Sequence, residues 1–237
     1  MISLLASVRN LDEACDAAAA GADLIDLKEP SAGALGGLPT QEIESIVAAI
    51  RSRWPGRPVS ATIGDFGADD HDGRCAQAAA VARCRVDYVK AGIEPGPQAR
   101  AALASLADLR LPSLVIVFLA DRGVDLPLAK EAAAMGFAGL MVDTGDKSTG
   151  SLMRHADPAR LRSLIAIARD HGCLCGLAGS LTRDDVGLLL QLAPDFAGFR
   201  GALCDGDRRG RLDARKVQAL RMALQGSADA TARHAAA

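Results

Sequence analysis

Strand-like apolar segments recur about every thirty residues along the chain, and this spacing constrains the fold more than any other feature. Eight such segments can be identified, at residues 2–7, 22–28, 58–64, 86–92, 113–120, 137–144, 173–179 and 195–201. Alanine- and leucine-rich stretches with helical periodicity separate them, for example residues 40–54 and 157–172. Strands that alternate with helices in this way predict a parallel sheet.

The number of repeats favours a closed sheet over an open one. Eight β/α units in 237 residues predict a single-domain (β/α)8 barrel, also called a TIM barrel. An open, doubly wound sheet is the alternative, but no GxGxxG motif follows the first strand segment. We expect the barrel domain to occupy residues 1–223 and residues 224–237 to form a disordered C-terminal tail.

Composition excludes several classes of function. The formal net charge is −2, which does not fit the basic surface of a nucleic-acid-binding protein. No apolar run approaches the ~18–20 residues of a membrane helix, and charged residues interrupt the N-terminal segment where a signal peptide would be apolar. The six cysteines lack CxxC spacing and the four histidines lack HExxH spacing, so we expect neither disulfides nor a metal site.

We therefore predict a cytoplasmic protein that binds neither nucleic acid nor membranes. Its partners are predicted to be small molecules, and the sequence gives no reason to expect a metal or any other cofactor. Barrels of this kind often associate, and the sequence leaves open whether this chain forms a homo-oligomer.

The end of the second strand segment carries charge inside an otherwise apolar run. Side chains alternate along a strand, so Asp26 and Lys28 share one face while Ile25 and Leu27 share the other. The two aliphatic residues suit contact with the outer helices. Asp26 and Lys28 are therefore predicted to face the barrel interior at the carboxyl ends of the strands, where barrels of this type have their active sites.

Lysine is rare in this chain, and most of the lysines lie close to strand ends. Only five of the 27 basic residues are lysines. Lys28 ends a strand segment, the run "VDYVK" within another segment ends in Lys90, and Lys147 follows the strand-ending Asp143 by four residues. An amine, unlike a guanidinium, can form a Schiff base with a carbonyl once burial or a neighbouring cation lowers its pKa. Asp26 and Asp143 could transfer protons or orient an ammonium group. The alternative interpretation is that these lysines are charged rim residues paired with acids.

The last two strand segments end in glycine-containing loops that predict a phosphate site. Barrels frequently bind phosphate with the loops after strands 7 and 8. Arg200 could add positive charge there or pair with an acid inside the barrel, and Ser180 could instead cap a helix. The predicted substrate- and phosphate-binding residues are Ser7, Thr62, Asp65, Gly179, Ser180, Arg200, Gly201 and Ala202. An amine beside such a site predicts aldol-type chemistry on a small phosphorylated aldehyde or ketone.

Six segments also carry a resemblance to a known family: "ADLIDLKEPSAGALGG", "PVSATIGD", "DYVKAGI", "MVDTGDKSTGSL", "LAGSL" and "FRGALCDGDR". The segments occur in the same order as in the (5-formylfuran-3-yl)methyl phosphate synthases, also called 4-(hydroxymethyl)-2-furancarboxaldehyde-phosphate synthases. The chain resembles this family over residues 1 to about 210. The resemblance implies a lyase that condenses two molecules of glyceraldehyde 3-phosphate, with loss of phosphate and water. Its product is the furan precursor of a methanofuran-type one-carbon carrier.

The resemblance also implies roles for individual residues. Lys28 matches the Schiff-base lysine and Lys90 the acid/base lysine, while Asp26, Asp143 and Lys147 match the remaining charged positions of the pocket. Another Schiff-base aldolase acting on a phosphorylated aldehyde remains an alternative. A phosphosugar isomerase without a covalent step is a second alternative, and a catalytically silent barrel that serves as a binding or scaffold subunit is a third.

Overall fold

Eight parallel strands close into a barrel in chain order. This arrangement is seen in a computed structural model, which describes residues 1–226. The strands are β1 (Ser3–Val8), β2 (Leu24–Leu27), β3 (Val59–Thr62), β4 (Tyr88–Ile93), β5 (Leu114–Leu119), β6 (Gly139–Asp143), β7 (Leu174–Leu177) and β8 (Phe196–Phe199). Each lies within or overlaps one predicted segment, so the predicted single-domain (β/α)8 barrel is confirmed.

Eight α-helices follow the strands. They are α1 (Leu11–Ala19), α2 (Thr40–Arg53), α3 (His71–Arg83), α4 (Ala99–Asp108), α5 (Leu126–Ala134), α6 (Pro158–Asp170), α7 (Val186–Leu192) and α8 (Ala214–Gln225). Five of them begin after an Asn or Asp whose side chain accepts a backbone N–H of the first turn, which satisfies a donor that the helix itself cannot pair. These N-terminal caps are Asn10, Asp70, Asp125, Asp157 and Asp213.

The predicted tail lies mostly outside the described residues. Helix α8 continues to Gln225, and Leu224 in its last turn is buried. Residues 227–237 are not described, and the disorder expected for them stays a prediction.

Alternation along the strands separates two apolar layers. Ile25 and Leu27 are fully buried in the large cluster between the strands and the helices. Inside the barrel lies a smaller cluster that includes Val117 and Phe196 and reaches Ala178 just after β7. The Phe196 ring lies so close to Gly176 that a Cβ there would stand 2.1 Å from a ring carbon. The interior is therefore a packed apolar core beneath the polar groups of the barrel mouth.

The connection between β2 and α2 folds back over the barrel mouth. Leu35 from this connection joins the interior cluster, and a Cβ at Gly92 would stand 2.6 Å from its Cδ1. The Asp65 carboxylate accepts the Leu35 N–H at 3.2 Å, and the Thr62 hydroxyl donates to the Gly36 carbonyl at 2.8 Å. These contacts fix the connection against the ends of β3 and β4.

Residues 1–226 contain neither a membrane-spanning helix nor a cluster of metal-binding side chains. None of their helices combines the length and apolar character needed to cross a membrane. No group of three or more metal-binding side chains is gathered where it could hold an ion. All six cysteines lie in this range and are free thiols.

Candidate active site

One carboxylate at the barrel mouth holds two lysines. Lys28 follows β2 directly, and Asp143 ends β6 on the opposite side of the barrel. The Lys28 Nζ lies 3.0 Å from Asp143 Oδ2, and the Lys147 Nζ binds Asp143 Oδ1. Lys147 also donates to the Thr144 hydroxyl at 3.2 Å. The prediction that Asp26 and Lys28 face the interior is confirmed, because both are buried there and pair with residues of other strands.

A second charged pair lies beneath the first. The Lys90 Nζ is 2.5 Å from Asp26 Oδ1, and the two side chains are 3% and 1% exposed. The Ser60 hydroxyl donates to the same oxygen at 2.6 Å, and the Ser7 hydroxyl donates to Asp26 Oδ2 at 2.9 Å. Asp26 therefore accepts from three donors, which offsets the cost of burying its charge.

Burial and mutual repulsion lower the pKa of two of the amines. Burial lowers the pKa of Lys147 to about 8; Asp143 opposes this shift and Lys28 adds to it. Burial also lowers the pKa of Lys90, again against the attraction of its partner Asp26 and with help from Lys28. Burial alone would raise the pKa of Asp143, but Lys28 and Lys147 hold it well below its usual value. Three amines therefore share two carboxylates, and burial disfavours the charged form of Lys90 and of Lys147.

A cavity of about 290 Å³ opens beside this cluster. Its wall contains the upper pair, Lys28 and Asp143, together with Lys147, whereas Lys90 and Asp26 are not part of it. Of the predicted binding residues, six line the cavity: Ser7, Gly179, Ser180, Arg200, Gly201 and Ala202. The cavity therefore combines amines with the two loops in which a phosphate site was predicted.

The loop after β7 packs tightly against the Lys147 segment. Gly179 has a φ of +111°, and a Cβ there would stand 2.9 Å from the Thr144 backbone nitrogen, so a side chain is excluded. Ser180 next to it has a φ of 46° and donates its hydroxyl to the Lys147 carbonyl at 3.4 Å. The helix-capping alternative fits Thr182 instead, which forms a capping box with Asp185.

Arg200 lines the cavity, but its guanidinium is fully engaged elsewhere. A guanidinium carries five N–H donors. Those of Arg200 go to the carbonyls of Arg208 (2.8 Å), Ser7 (3.1 Å) and Gly210 (2.9 Å) and to both carboxylate oxygens of Glu13 (2.5 and 3.2 Å). Of the two roles considered for Arg200, the geometry matches the one in which it pairs with an acid inside the fold.

The remaining two predicted residues lie away from this cavity. Thr62 is fully buried, and its hydroxyl lies within hydrogen-bond distance of the carbonyls of Leu27 in β2 and of Gly36 in the connection after β2. Asp65 lines a second cavity of about 240 Å³, together with residues that follow β4, β5 and β6, including Glu94 and Arg122. This second cavity lies on the opposite side of the Lys28–Asp143 pair, since its wall runs from β2 to β6 through β3, β4 and β5.

Arg208 is a cavity residue that the sequence interpretation missed. It lines the first cavity from the loop after β8, and its guanidinium donates a hydrogen bond to the Gly33 carbonyl at 3.4 Å. The signal that could have revealed it is its position in "FRGALCDGDR", one of the six segments that carry the resemblance. Nothing in the strand periodicity indicates that this loop returns to the barrel mouth.

The family model for 4-HFC-P synthase matches residues 4–221, which is nearly all of the described chain. The chain belongs to this family. A (5-formylfuran-3-yl)methyl phosphate synthase of Methanosarcina acetivorans is 32% identical, with 92% of this chain and 97% of the relative covered. The synthase of Archaeoglobus fulgidus is 30% identical and fully covered, and the match takes in 95% of this chain. Because the named members are synthases, the chain is an enzyme.

Further relatives are bacterial or share only the fold. A Methylorubrum extorquens protein, whose name gives the same activity provisionally, is 41% identical over 90% of this chain and 88% of its own length. Among solved structures, Thermus thermophilus phosphoribosyl anthranilate isomerase superposes with a TM-score of 0.63 at 16% identity, covering 95% of this chain and 99% of that one. Pyrococcus furiosus thiamine phosphate pyrophosphorylase gives 0.62 at 17% identity, covering 95% and 96%. The two likenesses to solved structures concern the barrel fold alone.

Proposed function

We propose that this enzyme condenses two molecules of glyceraldehyde 3-phosphate into (5-formylfuran-3-yl)methyl phosphate through a Schiff base on Lys28, with loss of phosphate and water. The product would supply the furan of a methanofuran-type one-carbon carrier. The observation that supports this best is the geometry of the first cavity, whose wall combines two lysine amines that share one carboxylate with the loops after β7 and β8. Family membership supports the same product.

The first step would be attack of the Lys28 amine on the carbonyl of one triose phosphate. A C–N bond forms, the carbonyl oxygen leaves as water, and the resulting iminium draws electrons from the adjacent carbon. Asp143, 3.0 Å from the Lys28 Nζ, would hold the nitrogen in place and stabilise its positive charge. The surplus of ammonium groups around Lys28 favours a neutral amine somewhere in the cluster, which is what attack requires.

The second step would be removal of a proton from the carbon next to the iminium, which gives an enamine. We assign this step to Lys90, following the acid/base role that the resemblance implies, and its lowered pKa suits a base. Lys147 is the alternative base, because it lines the cavity and has a pKa of about 8. Exchange of substrate hydrogen with D2O distinguishes them, since only the variant that lacks the true base (Lys90→Gln or Lys147→Gln) will lose exchange while still forming the imine.

The enamine would then attack the aldehyde of a second triose phosphate. The second cavity lies on the other side of the Lys28–Asp143 pair and offers a place for this acceptor. Loss of phosphate, ring closure and loss of water would follow, and formation of the aromatic furan would make these last steps favourable.

The decisive experiment is a product assay with glyceraldehyde 3-phosphate as the sole substrate. A conjugated furan aldehyde with strong ultraviolet absorbance and the mass of the proposed product is the expected result. A non-aromatic aldol product would replace this proposal with another Schiff-base aldolase, which the same lysines and phosphate loops would serve equally well. Isomerisation without any borohydride-trapped adduct would favour a phosphosugar isomerase.

A further inference from the structure

Arg208 is positioned to act on a ligand rather than on the protein. Its partly buried side chain lines the first cavity, in which Lys28 and Lys147 also lie. Its Nη2 donates a hydrogen bond to the Gly33 carbonyl at 3.4 Å. Among residues 1–226, no carboxylate forms a salt bridge with it, so its charge and most of its donors remain available to a bound anion.

The charge of the cavity wall favours an anionic ligand. Lys28 and Lys147 share the single carboxylate of Asp143, and Arg208 adds a further positive charge. Asp207, the other acid in the wall, is exposed and forms a salt bridge with Arg209 at 3.2 Å. Arg200, the cation that the sequence placed in the phosphate site, has all five donors engaged. Arg208 is therefore the arginine of this wall that can meet a phosphate with two parallel N–H groups.

A buried ion pair fixes the loop that carries Arg208. Arg200 donates to the carbonyls of Arg208 and Gly210 and holds this end of the loop against the barrel. Glu13 in α1 is 3% exposed and accepts from both terminal nitrogens of Arg200. The path from Glu13 through Arg200 to the Arg208 backbone is thus continuous and largely buried.

From these observations we infer that Arg208 binds the phosphate group of the substrate that reacts at Lys28, and that Arg200 and Glu13 are positioning residues for it. The inference rests on the proposed function, because it takes a phosphorylated aldehyde as the ligand. It moves the phosphate contact from Arg200 to a residue eight positions later in the chain.

The test compares Arg208→Gln with Arg211→Gln, which serves as a matched control because Arg211 is exposed and neither it nor its partner Asp16 lines the cavity. Borohydride trapping is followed against the concentration of glyceraldehyde 3-phosphate and, separately, of unphosphorylated glyceraldehyde. Arg208→Gln should raise the half-saturating concentration of the phosphorylated aldehyde by about tenfold or more and leave glyceraldehyde unchanged. Arg208→Lys should give a smaller increase, since it keeps the charge but loses the paired donors.

Equal effects on both aldehydes, or no effect of Arg208→Gln on the phosphorylated one, would overturn the assignment. Calorimetric titration with inorganic phosphate tests Arg208 without any imine chemistry. Wild type and Arg211→Gln should bind phosphate and Arg208→Gln should not. If no form of the protein yields a trapped adduct, the Schiff-base proposal fails, and the phosphate titration still decides the role of Arg208.

The positioning role has its own signature. Glu13→Gln removes the charge that holds Arg200 but replaces none of the side chains that line the cavity. We expect a higher half-saturating concentration for glyceraldehyde 3-phosphate, an unchanged maximal rate of adduct formation, and no change with glyceraldehyde. An equal loss of maximal rate with both aldehydes would show that the pair serves stability alone.

Discussion

The ammonium group of Lys28 lies 3.0 Å from the carboxylate of Asp143, across the barrel mouth from β2 to β6. This pair divides the mouth into two cavities, one facing β7, β8 and β1 and the other facing β3, β4 and β5. Lys28 and Asp143 both line the first cavity and neither lines the second, so a ligand that reaches the Lys28 amine from the first cavity also lies near Asp143.

Replacement of Lys28 by arginine tests whether the amine itself, and not only its positive charge, is needed. Lys28→Arg keeps a cation opposite Asp143 but cannot form an imine, so borohydride trapping and turnover should both be lost. The measurement is the mass of the trapped protein, with the adduct located by peptide mapping. Lys130→Arg is the control, because Lys130 is exposed on α5 and should leave trapping intact. An adduct of normal yield on Lys28→Arg would contradict the role of Lys28.

The rate of trapping should depend on pH through an amine with a pKa near 8. Burial lowers the pKa of Lys147 to about 8 from its ordinary value of 10.5, so its neutral form appears above about pH 8. The rate should rise about tenfold per pH unit below 8 and level off above it. In Lys147→Gln this rise of the trapping rate with pH should disappear or move to another pH. Lys130→Gln should reproduce the wild-type dependence on pH. If the rate of the Lys147→Gln variant still levels off near pH 8, another group is responsible for the dependence on pH.

Asp143 should contribute stability that is lost in acid. Lys28 and Lys147 hold its pKa below the unfolded value of 3.8, so this contribution is complete above pH 3.8 and falls as the pH drops below it. At neutral pH, Asp143→Asn should lower the free energy of unfolding by about 3–5 kcal/mol, because two buried ammonium groups lose their partner. The difference from wild type should narrow at lower pH in urea titrations. A constant difference down to pH 2 would contradict this explanation.

Gly176→Ala should destabilise the barrel from its interior. The added Cβ would stand 2.1 Å from the Phe196 ring, and the packed cluster around Phe196 leaves little room for the ring to move. We expect a loss of about 1–3 kcal/mol in the free energy of unfolding, measured by urea denaturation. Gly187→Ala is the matched control, because this exposed glycine of α7 has no atom within 4 Å of an added Cβ. Its stability should not fall, since alanine suits a helix better than glycine.

The parts of the site that lie on strands could be predicted from the sequence. Alternation alone placed Asp26 and Lys28 inside the barrel, because the side-chain period of a strand is fixed by its backbone. The depth of Lys90 could not be read in the same way. The prediction that Lys90 ends a strand is wrong, because β4 continues to Ile93 and Lys90 therefore lies deeper in the barrel, beneath the cavity.

The parts that lie on loops could not be predicted. Thr62 is predicted to bind a ligand, but the connection after β2 folds back and its Gly36 carbonyl accepts the Thr62 hydroxyl. For a similar reason, the Arg200 guanidinium is engaged by the protein and not left free for a phosphate. The buried acid that engages Arg200 comes from α1, 187 residues earlier in the chain, and no local pattern reveals such a contact.

The reactive cluster draws on both halves of the chain. Lys28 and Lys90 come from the first four strands, while Asp143 and Lys147 come from β6 and the segment after it. Neither half-barrel contains an amine cluster with both of its counter-ions, so a fragment ending after β4 would hold Lys28 without Asp143. Under the proposed Schiff-base chemistry, reactivity toward a carbonyl would require closure of the entire barrel, and the fraction of protein that can be trapped would count the completely folded molecules in a preparation.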